Sequence, residues 1–393
     1  MPEALTGRPL YSDDARVAGR HQDGPPVDLR GPDVARFQRP TPQEGAVALV
    51  AVVAGSLWRV VSPWRTLYDL VVAVEGRPLA VLGEYPDRLG AWPAVVGFVL
   101  GVGVVENLTV ATRSPRLTVA IAAGYTAVML AGGAAYGREW FERADALAVL
   151  FALLGRVAVL DARRTDDGGA RVAVRPPWRG ATAPLADAST VVFVVATVYT
   201  VSFDGFTATR VYQRLLFDAR GVVGVGAASV ALYLAGLVAF VASFLAAVAL
   251  VERLGVRANR PGAGGDATDG AVGATVSFGG TVVPIAAAYE VAHNYPFVAA
   301  NLGGALGVGR DLALGTAGAP VDLLAWLPTA WFWGSQVLFI VAGHVVAVVA
   351  AHRVAVARYP TAAAARRGHA PLVVVMVGYT LLSLWVVSRP VVG

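Results

Sequence analysis

The sequence predicts an all-α protein, a polytopic transmembrane helical bundle of eight or nine spans. Of its 393 residues, 56% are hydrophobic and only 15% are charged, against roughly 25% charged residues in an average soluble domain. Apolar stretches of about 20 residues recur along almost the whole chain, and each is long enough to cross a hydrocarbon core about 30 Å thick. No repeat with a period of about 20–50 residues is visible, so the sequence does not support a solenoid.

Nine segments are candidate spans, and they differ in length. The first and fourth are short, which is also compatible with a tilted, re-entrant or interfacial segment, whereas the sixth is long enough to tilt strongly or to project from the bilayer. The nine are roughly Gly45–Val61, Ala91–Val110, Leu117–Tyr136, Asp145–Leu160, Ser189–Phe203, Gly221–Val251, Gly273–Ala300, Ala325–Ala351 and Pro371–Ser388.

The chain divides by composition into a tail and a membrane domain. Residues 1–44 are polar, with scattered Pro, Asp and Arg, which predicts a disordered cytoplasmic tail without the apolar core of a cleavable signal peptide. Residues 45–393 form a single transmembrane helical domain. If the N-terminus is cytoplasmic, arginines outnumber acidic residues in the cytoplasmic loops, which predicts a multi-pass protein of the cell membrane with its C-terminus outside.

Composition also excludes several kinds of chemistry. The chain has no cysteine, so disulfides, thiolate metal sites and cysteine nucleophiles are excluded. It has no lysine either, because all 32 basic residues are arginine, and a lysine Schiff base is impossible. The pI near 9.7 reflects arginines on cytoplasmic loops, and we therefore expect no nucleic-acid partner.

Ionisable side chains inside the predicted spans are the best functional signal, because such groups are costly at membrane depth. Glu106 and Glu290 are the two acids that the predicted spans enclose, and His293 follows Glu290 by three residues. At this spacing the two side chains differ in direction by about 60° and can point at one centre. The pair predicts a Glu–His hydrogen bond, a proton-handling site or a metal or haem site. A di-metal carboxylate site uses two such motifs, and the sequence has one.

The histidines of the eighth span offer a second signal. His344 and His352 differ in height by about 12 Å along one helix, so they cannot bind the same ion. His344 follows Gly343, which allows a neighbouring helix or a flat cofactor to approach closely. Its role is that of a core histidine, a proton relay, or a haem ligand paired with His293. His352 lies at the helix end and is expected to cap the helix or meet lipid headgroups.

Six segments together resemble a family of actinobacterial and archaeal polytopic membrane proteins, some of which are labelled fenitrothion hydrolase. The resemblance runs from about Trp58 to Trp385, and it places His293, His344 and His352 on matching histidines. The label implies hydrolysis of an organophosphate ester, although no hydrolase motif is recognisable by spacing. The six segments are Trp58–Arg65, Tyr85–Pro93, Gly137–Glu142, Tyr289–Asn294, Gly343–His352 and Met376–Thr380.

These observations leave three functional hypotheses open. The first is a transporter or channel-like protein for a small solute or ion, with Glu106, Glu290 and His293 as proton-handling or binding groups and His344 lining the same cavity. The second is a membrane-embedded haem or divalent-metal protein with ligands among His293, His344 and Glu290, for which the family label suggests an ester hydrolase. The third is a non-catalytic assembly subunit. The lipid bilayer, a second copy of the chain or a membrane complex are the expected partners.

Overall fold

The structure is a computed structural model that describes residues 58–109, 111, 114–164, 170–257, 267–315, 318, 321–359 and 361–387. The chain divides into two units, 1–39 and 40–393, and every described residue belongs to the second. The predicted tail, 1–44, and nearly all of the first predicted span, Gly45–Val61, lie outside the described residues.

The described residues are almost entirely helical, which confirms the predicted all-α class. A single two-stranded antiparallel hairpin, β1 (Leu160–Arg164) and β2 (Ala170–Val174), interrupts the helices. The helices are α1 (Trp58–Val61), α2 (Pro63–Glu75), α3 (Trp92–Phe98), α4 (Pro115–Tyr136), α5 (Arg138–Arg143), α6 (Ala146–Leu154), α7 (Trp178–Ala181), α8 (Ala188–Thr207), α9 (Arg210–Val223), α10 (Ala228–Arg257), α11 (Ala267–Gly279), α12 (Val283–Leu314), α13 (Thr329–Arg358) and α14 (Ala362–Val387). Short 3₁₀ turns occupy Asp87–Leu89, Gly155–Val157 and Gly280–Val282, and a π-helix occupies Val99–Glu106.

Seven helical segments of the described chain are long and apolar enough to cross a membrane, so the chain is an integral membrane protein. Each matches one of the nine predicted spans. They are Asp87–Glu106, Pro115–Tyr136, Ala188–Thr207, Ala228–Gly255, Gly270–Leu314, Thr329–Arg358 and Ala362–Trp385.

The fourth predicted span, Asp145–Leu160, is instead a short apolar helical segment, Ala146–Val157. Twelve residues reach only about 18 Å along a helix, less than the thickness of a hydrocarbon core. The segment ends because Gly155–Val157 tightens into a 3₁₀ turn and the chain then enters β1 at Leu160.

Contacts between span ends show that this short segment does not cross the bundle. The Ala91 amide donates a hydrogen bond to Ser189 Oγ at 2.6 Å, and Gly90 packs against Asp187 and Ser189. The spans that begin at Asp87 and at Ala188 therefore start at the same end of the bundle. Between these two starting points the chain crosses the bundle once with Asp87–Glu106 and crosses back once with Pro115–Tyr136. Helix α6 must therefore begin and end on the same side.

Helix α8 lies at the centre of the bundle, in contact with α3, α10, α11 and α12. Most of its side chains are buried, although its sequence is no more apolar than that of the other spans. Aromatic rings pack around its second half, and a hydrogen bond from the Tyr199 hydroxyl to the Tyr233 carbonyl (2.9 Å) joins it to α10. These rings belong to Tyr199, Phe203, Phe206, Tyr212, Tyr233 and Phe240.

Helices α12 and α13 pack directly against each other. A Cβ atom added at Gly343 would collide with the Cβ of Ala288 and would lie 2.7 Å from the Pro284 carbonyl oxygen. Of the two neighbours that the sequence allowed for Gly343, a helix or a flat cofactor, the structure places a helix there. This packing brings the polar residues of α12 next to His344.

Candidate polar centre between helices α8, α12 and α13

An ion pair between two spanning helices is the central feature of the candidate site. Asp204 lies in the last turn of α8 and is buried, with 8% of its surface exposed. Its Oδ2 atom lies 4.0 Å from Nε2 of His293 on α12. The pair is ionic when His293 carries a proton, and the attraction then offsets part of the cost of burying the Asp204 carboxylate.

The fifth predicted span, Ser189–Phe203, left Asp204 outside the helix, and this was wrong. The predicted span ended at Phe203, whereas α8 continues through Thr207. The signal that could have found it is Thr209, whose hydroxyl accepts a hydrogen bond from the Tyr212 amide as the N-cap of α9. A helix that starts immediately after Thr209 leaves little room for a turn before it.

Glu290 and His293 each contact another polar residue of the bundle. His293 faces Asp204, whereas Glu290 Oε1 accepts a hydrogen bond from Asn294 Nδ2 at 2.9 Å. Asn294 also donates to the Glu290 carbonyl at 3.0 Å. Because Asn294 is buried with its Oδ1 atom unpaired among the described residues, Glu290 holds a buried amide in place one helical turn away.

Tyr289 connects the ion pair to His344. It lies four residues before His293, so both side chains share one face of α12 at a height difference of about 6 Å. Its hydroxyl is buried close to Ser202 on α8, but no partner among the described residues meets hydrogen-bond geometry. Its ring meets the ring of His344 in a T-shaped contact with centroids 6.3 Å apart.

His344 presents an unused nitrogen to this region. It is buried, and its Nδ1 atom lies 2.8 Å from the Ile340 carbonyl oxygen. A carbonyl can only accept, so Nδ1 carries the proton, and in the neutral ring Nε2 is left as a basic lone pair. That Nε2 atom is buried and unpaired among the described residues.

We call this group of side chains the polar track. It consists of Ser202 and Asp204 on α8, Tyr289 and His293 on α12, and His344 on α13. Along the track lie two ionisable rings, a carboxylate and two hydroxyls on three packed helices. Unpaired buried polar atoms are few in folded proteins, and three of them, on Tyr289, Asn294 and His344, occur here within two neighbouring helices.

Glu106 lies on a different interface. It ends the π-helix Val99–Glu106, which packs against α8 and α10. Gly103 of this π-helix packs on the Tyr233 ring, and the Tyr233 hydroxyl is 2.7 Å from Thr200 Oγ1, one turn before Asp204. The structure thus places the π-helix that ends at Glu106 beside the same segment of α8. Segments of π-helix occur frequently at functional sites.

The predicted metal ligands, His293, His344 and Glu290, do not form a recognisable metal cluster. Within the described part of the chain, no three His, Cys, Asp or Glu side chains are arranged to hold an ion. The close packing of α12 on Gly343 also fills the face where a flat cofactor would approach His344. A haem or divalent metal at these residues remains a prediction from sequence.

A second buried carboxylate, Asp145, was treated from sequence only as a span end. It is fully buried, and its Oδ2 atom accepts hydrogen bonds from the indole nitrogens of Trp58 (2.9 Å) and Trp64 (2.8 Å). Its Oδ1 atom accepts from the Tyr125 hydroxyl (2.9 Å) and the Leu147 amide (3.0 Å). Burial raises the pKa of Asp145 above its ordinary value, and the hydrogen bonds act in the opposite direction. Asp145 caps α6 and ties four helices together, and its signal in the sequence was its position just before an apolar helix.

A small cavity of about 30 Å³ lies beside Asp145. The buried Ser62 hydroxyl lines it and has no hydrogen-bond partner in the described chain. Arg65 and Glu142 form its rim, with a 3.7 Å ion pair. This volume is enough for ordered water, but it is too small for an organic substrate.

Arg156, which the sequence placed inside the fourth span, is stabilised by backbone carbonyls. Its guanidinium donates to the Ala183 and Pro184 carbonyls at 2.9 and 2.8 Å. Burial lowers the pKa of Arg156 from its ordinary value. The guanidinium thus joins the end of the fourth predicted span to the loop before α8.

Comparison of the chain with protein-family models, with curated proteins and with solved structures gave no match. The resemblance to the family labelled fenitrothion hydrolase therefore stays a prediction.

Proposed function

We propose that the protein is a transporter or channel-like protein that couples proton transfer to the movement of a small solute or ion. The observation that carries the proposal is the Asp204–His293 pair, which joins a buried carboxylate to a partly exposed imidazole across two spanning helices. Ionisable groups inside spans typically mark ion pathways and proton relays.

Histidine suits this task because its ordinary pKa lies near neutral pH, so it can gain and lose a proton under physiological conditions. The ring of His293 is partly exposed at the surface of the bundle, whereas Asp204 is buried beside it. Tyr289 and the free lone pair of His344 extend the polar track further into the bundle.

Vesicles that contain the purified protein and an entrapped pH-sensitive dye test the proposal. A potassium diffusion potential drives protons inward, and the measurement is repeated with panels of metal cations, organic acids, amino acids and sugars. We expect wild-type vesicles to acidify faster than empty vesicles under at least one condition, and Asp204→Asn and His293→Gln to reduce the rate at least tenfold.

Asp218→Asn provides the matched control, because Asp218 is an exposed acid on α9, close in sequence to Asp204 but outside the polar track. It should leave the rate unchanged. Acidification at the level of empty vesicles with every solute, or equal rates in wild type, Asp204→Asn and His293→Gln, would contradict the proposal.

We also propose that the bundle end carrying the β1–β2 hairpin faces the cytoplasm. The described parts of two arginine-rich connections, 160–164 with 170–187 and 253–257, lie at this end, as expected from the positive-inside rule. A cysteine introduced at Arg171 should react with a membrane-impermeant maleimide only after cells are opened. The same reagent should label a cysteine at Asp322 in intact cells, and the reverse pattern would overturn the assignment.

A further inference from the structure

Two histidines meet where α13 passes into α14, away from the polar track. His352 of α13 and His369 of α14 have ring centroids 5.1 Å apart with an interplanar angle of 63°. His352 is exposed and His369 is half-buried, so solvent can reach the pair.

The hydrogen bonding of His369 leaves a ligand atom free. Its Nδ1 atom lies 2.5 Å from the Ala365 carbonyl oxygen, so Nδ1 donates the proton and Nε2 keeps its lone pair in the neutral ring. Metal-binding histidines usually donate their second ring N–H to a carbonyl or carboxylate in this way, which fixes both tautomer and ring orientation.

The separation of the rings fits a shared ion. Zinc–nitrogen bonds of about 2.0–2.1 Å at a tetrahedral angle place two imidazole centroids roughly 5.2 Å apart. The observed centroid separation of 5.1 Å is close to this value.

The surrounding structure holds the two helices in place. The Tyr359 ring lies against Gly368 and Gly255, and a Cβ added at Gly368 would lie 2.9 Å from Tyr359 Cε2. The Tyr359 hydroxyl is 3.1 Å from Glu252 Oε2 on α10. A rigid support of this kind lowers the entropic cost of assembling a site from two helices.

Nearby positive charges are engaged elsewhere. The guanidinium of Arg353 lies over the Trp178 ring, 5.5 Å from its centroid, and Arg358 pairs with Glu252 at 3.1 Å. Arg366 and Arg367 are exposed, where solvent and salt screen their charge.

We propose that His352 and His369 form a binding site for a divalent transition-metal ion of the kind that prefers imidazole ligands, such as Zn²⁺. No third His, Asp or Glu of the described chain completes a cluster, so solvent supplies the other ligands and the ion is exchangeable. Mg²⁺ and Ca²⁺, which prefer oxygen ligands, do not bind there. The site is independent of the proposed transport function.

Zinc binding to the full chain, purified without a polyhistidine tag and stripped with a chelator, tests the proposal. Equilibrium dialysis with metal analysis should give one bound Zn²⁺ per wild-type chain. Mg²⁺ should not bind with comparable affinity. His352→Gln and His369→Gln should each weaken binding at least tenfold, whereas His293→Gln should not change it.

Two further measurements separate ligand loss from misfolding. Zn²⁺ should raise the melting temperature of the wild type but not of His352→Gln or His369→Gln. His352→Cys should bind Zn²⁺ more tightly than His352→Gln, because a thiolate is a good zinc ligand. A wild type without bound Zn²⁺, unchanged binding in both glutamine variants, or loss of binding in His293→Gln alone would overturn the proposal.

Discussion

Asp204 Oδ2 of α8 and His293 Nε2 of α12 lie 4.0 Å apart across the interface of two spanning helices. The two residues are separated by 89 positions in the sequence, and neither lies near the other in any local motif. Their pairing depends on the parallel course of α8 and α12, which both start near the contact of Gly279 with Val191.

The pair should be energetically coupled. Asp204→Asn and His293→Gln should each lower the melting temperature in detergent, and the double variant should lose less than the sum of the two. A coupling on the order of 1 kcal/mol is expected for residues in direct contact. Strictly additive losses would show that the two side chains do not stabilise each other.

Removing Asp145 should destabilise the region around α6 strongly. Asp145→Ala leaves two indoles, the Tyr125 hydroxyl and an amide without their acceptor, and a hydrogen bond to a charged group contributes roughly 1.5–3 kcal/mol. We expect a loss of about 3 kcal/mol or more, visible as a lower melting temperature and altered near-UV circular dichroism. Glu142→Ala, at the rim of the same cavity, is the control and should change stability by less than about 1 kcal/mol.

Acid should remove the contribution of Asp187 to stability. Burial acts to raise the pKa of Asp187, but hydrogen bonds from Ser189 and Thr190 outweigh it and the pKa lies below its ordinary value. The group therefore stabilises the fold above its unfolded pKa of about 3.9, and the contribution is lost as the pH falls through the lower folded pKa.

Melting temperatures of wild type and Asp187→Asn between pH 3 and pH 7 measure this effect. The asparagine can still cap α8, so the difference isolates the charge. Wild type should be more stable near pH 6, and the difference should shrink as the pH approaches 3. A difference that is independent of pH would exclude a titrating Asp187.

Two glycines of α13 should respond oppositely to alanine. At Gly343 a Cβ collides with Ala288 of α12, so Gly343→Ala should destabilise by about 1–3 kcal/mol through overpacking. At Gly334 nothing lies within 4 Å of the added Cβ, and Gly334→Ala should stabilise by about 0.5–1 kcal/mol through helix propensity. Melting of the two variants side by side checks the prediction, and a stable Gly343→Ala would show that α12 and α13 are not in close contact.

Several features could be read from local sequence alone. The apolar lengths of seven spans predicted their helices, and Gly343 predicted a close approach because a missing side chain is a local property. The same reasoning failed at Asp204, where a polar residue within an apolar helix was taken for its end. It left open whether Asp145–Leu160 crosses the bundle, because a hydrophobic run of intermediate length does not reveal whether it traverses the membrane.

The sequence by itself determined that the chain is a helical membrane protein, because apolar length and the scarcity of charge decide which segments leave water. Only the tertiary structure decided that His293 meets Asp204 and that His352 meets His369. Each of these contacts joins two helices, and their relative rotation and depth follow from side-chain packing along the whole bundle, which no single segment encodes.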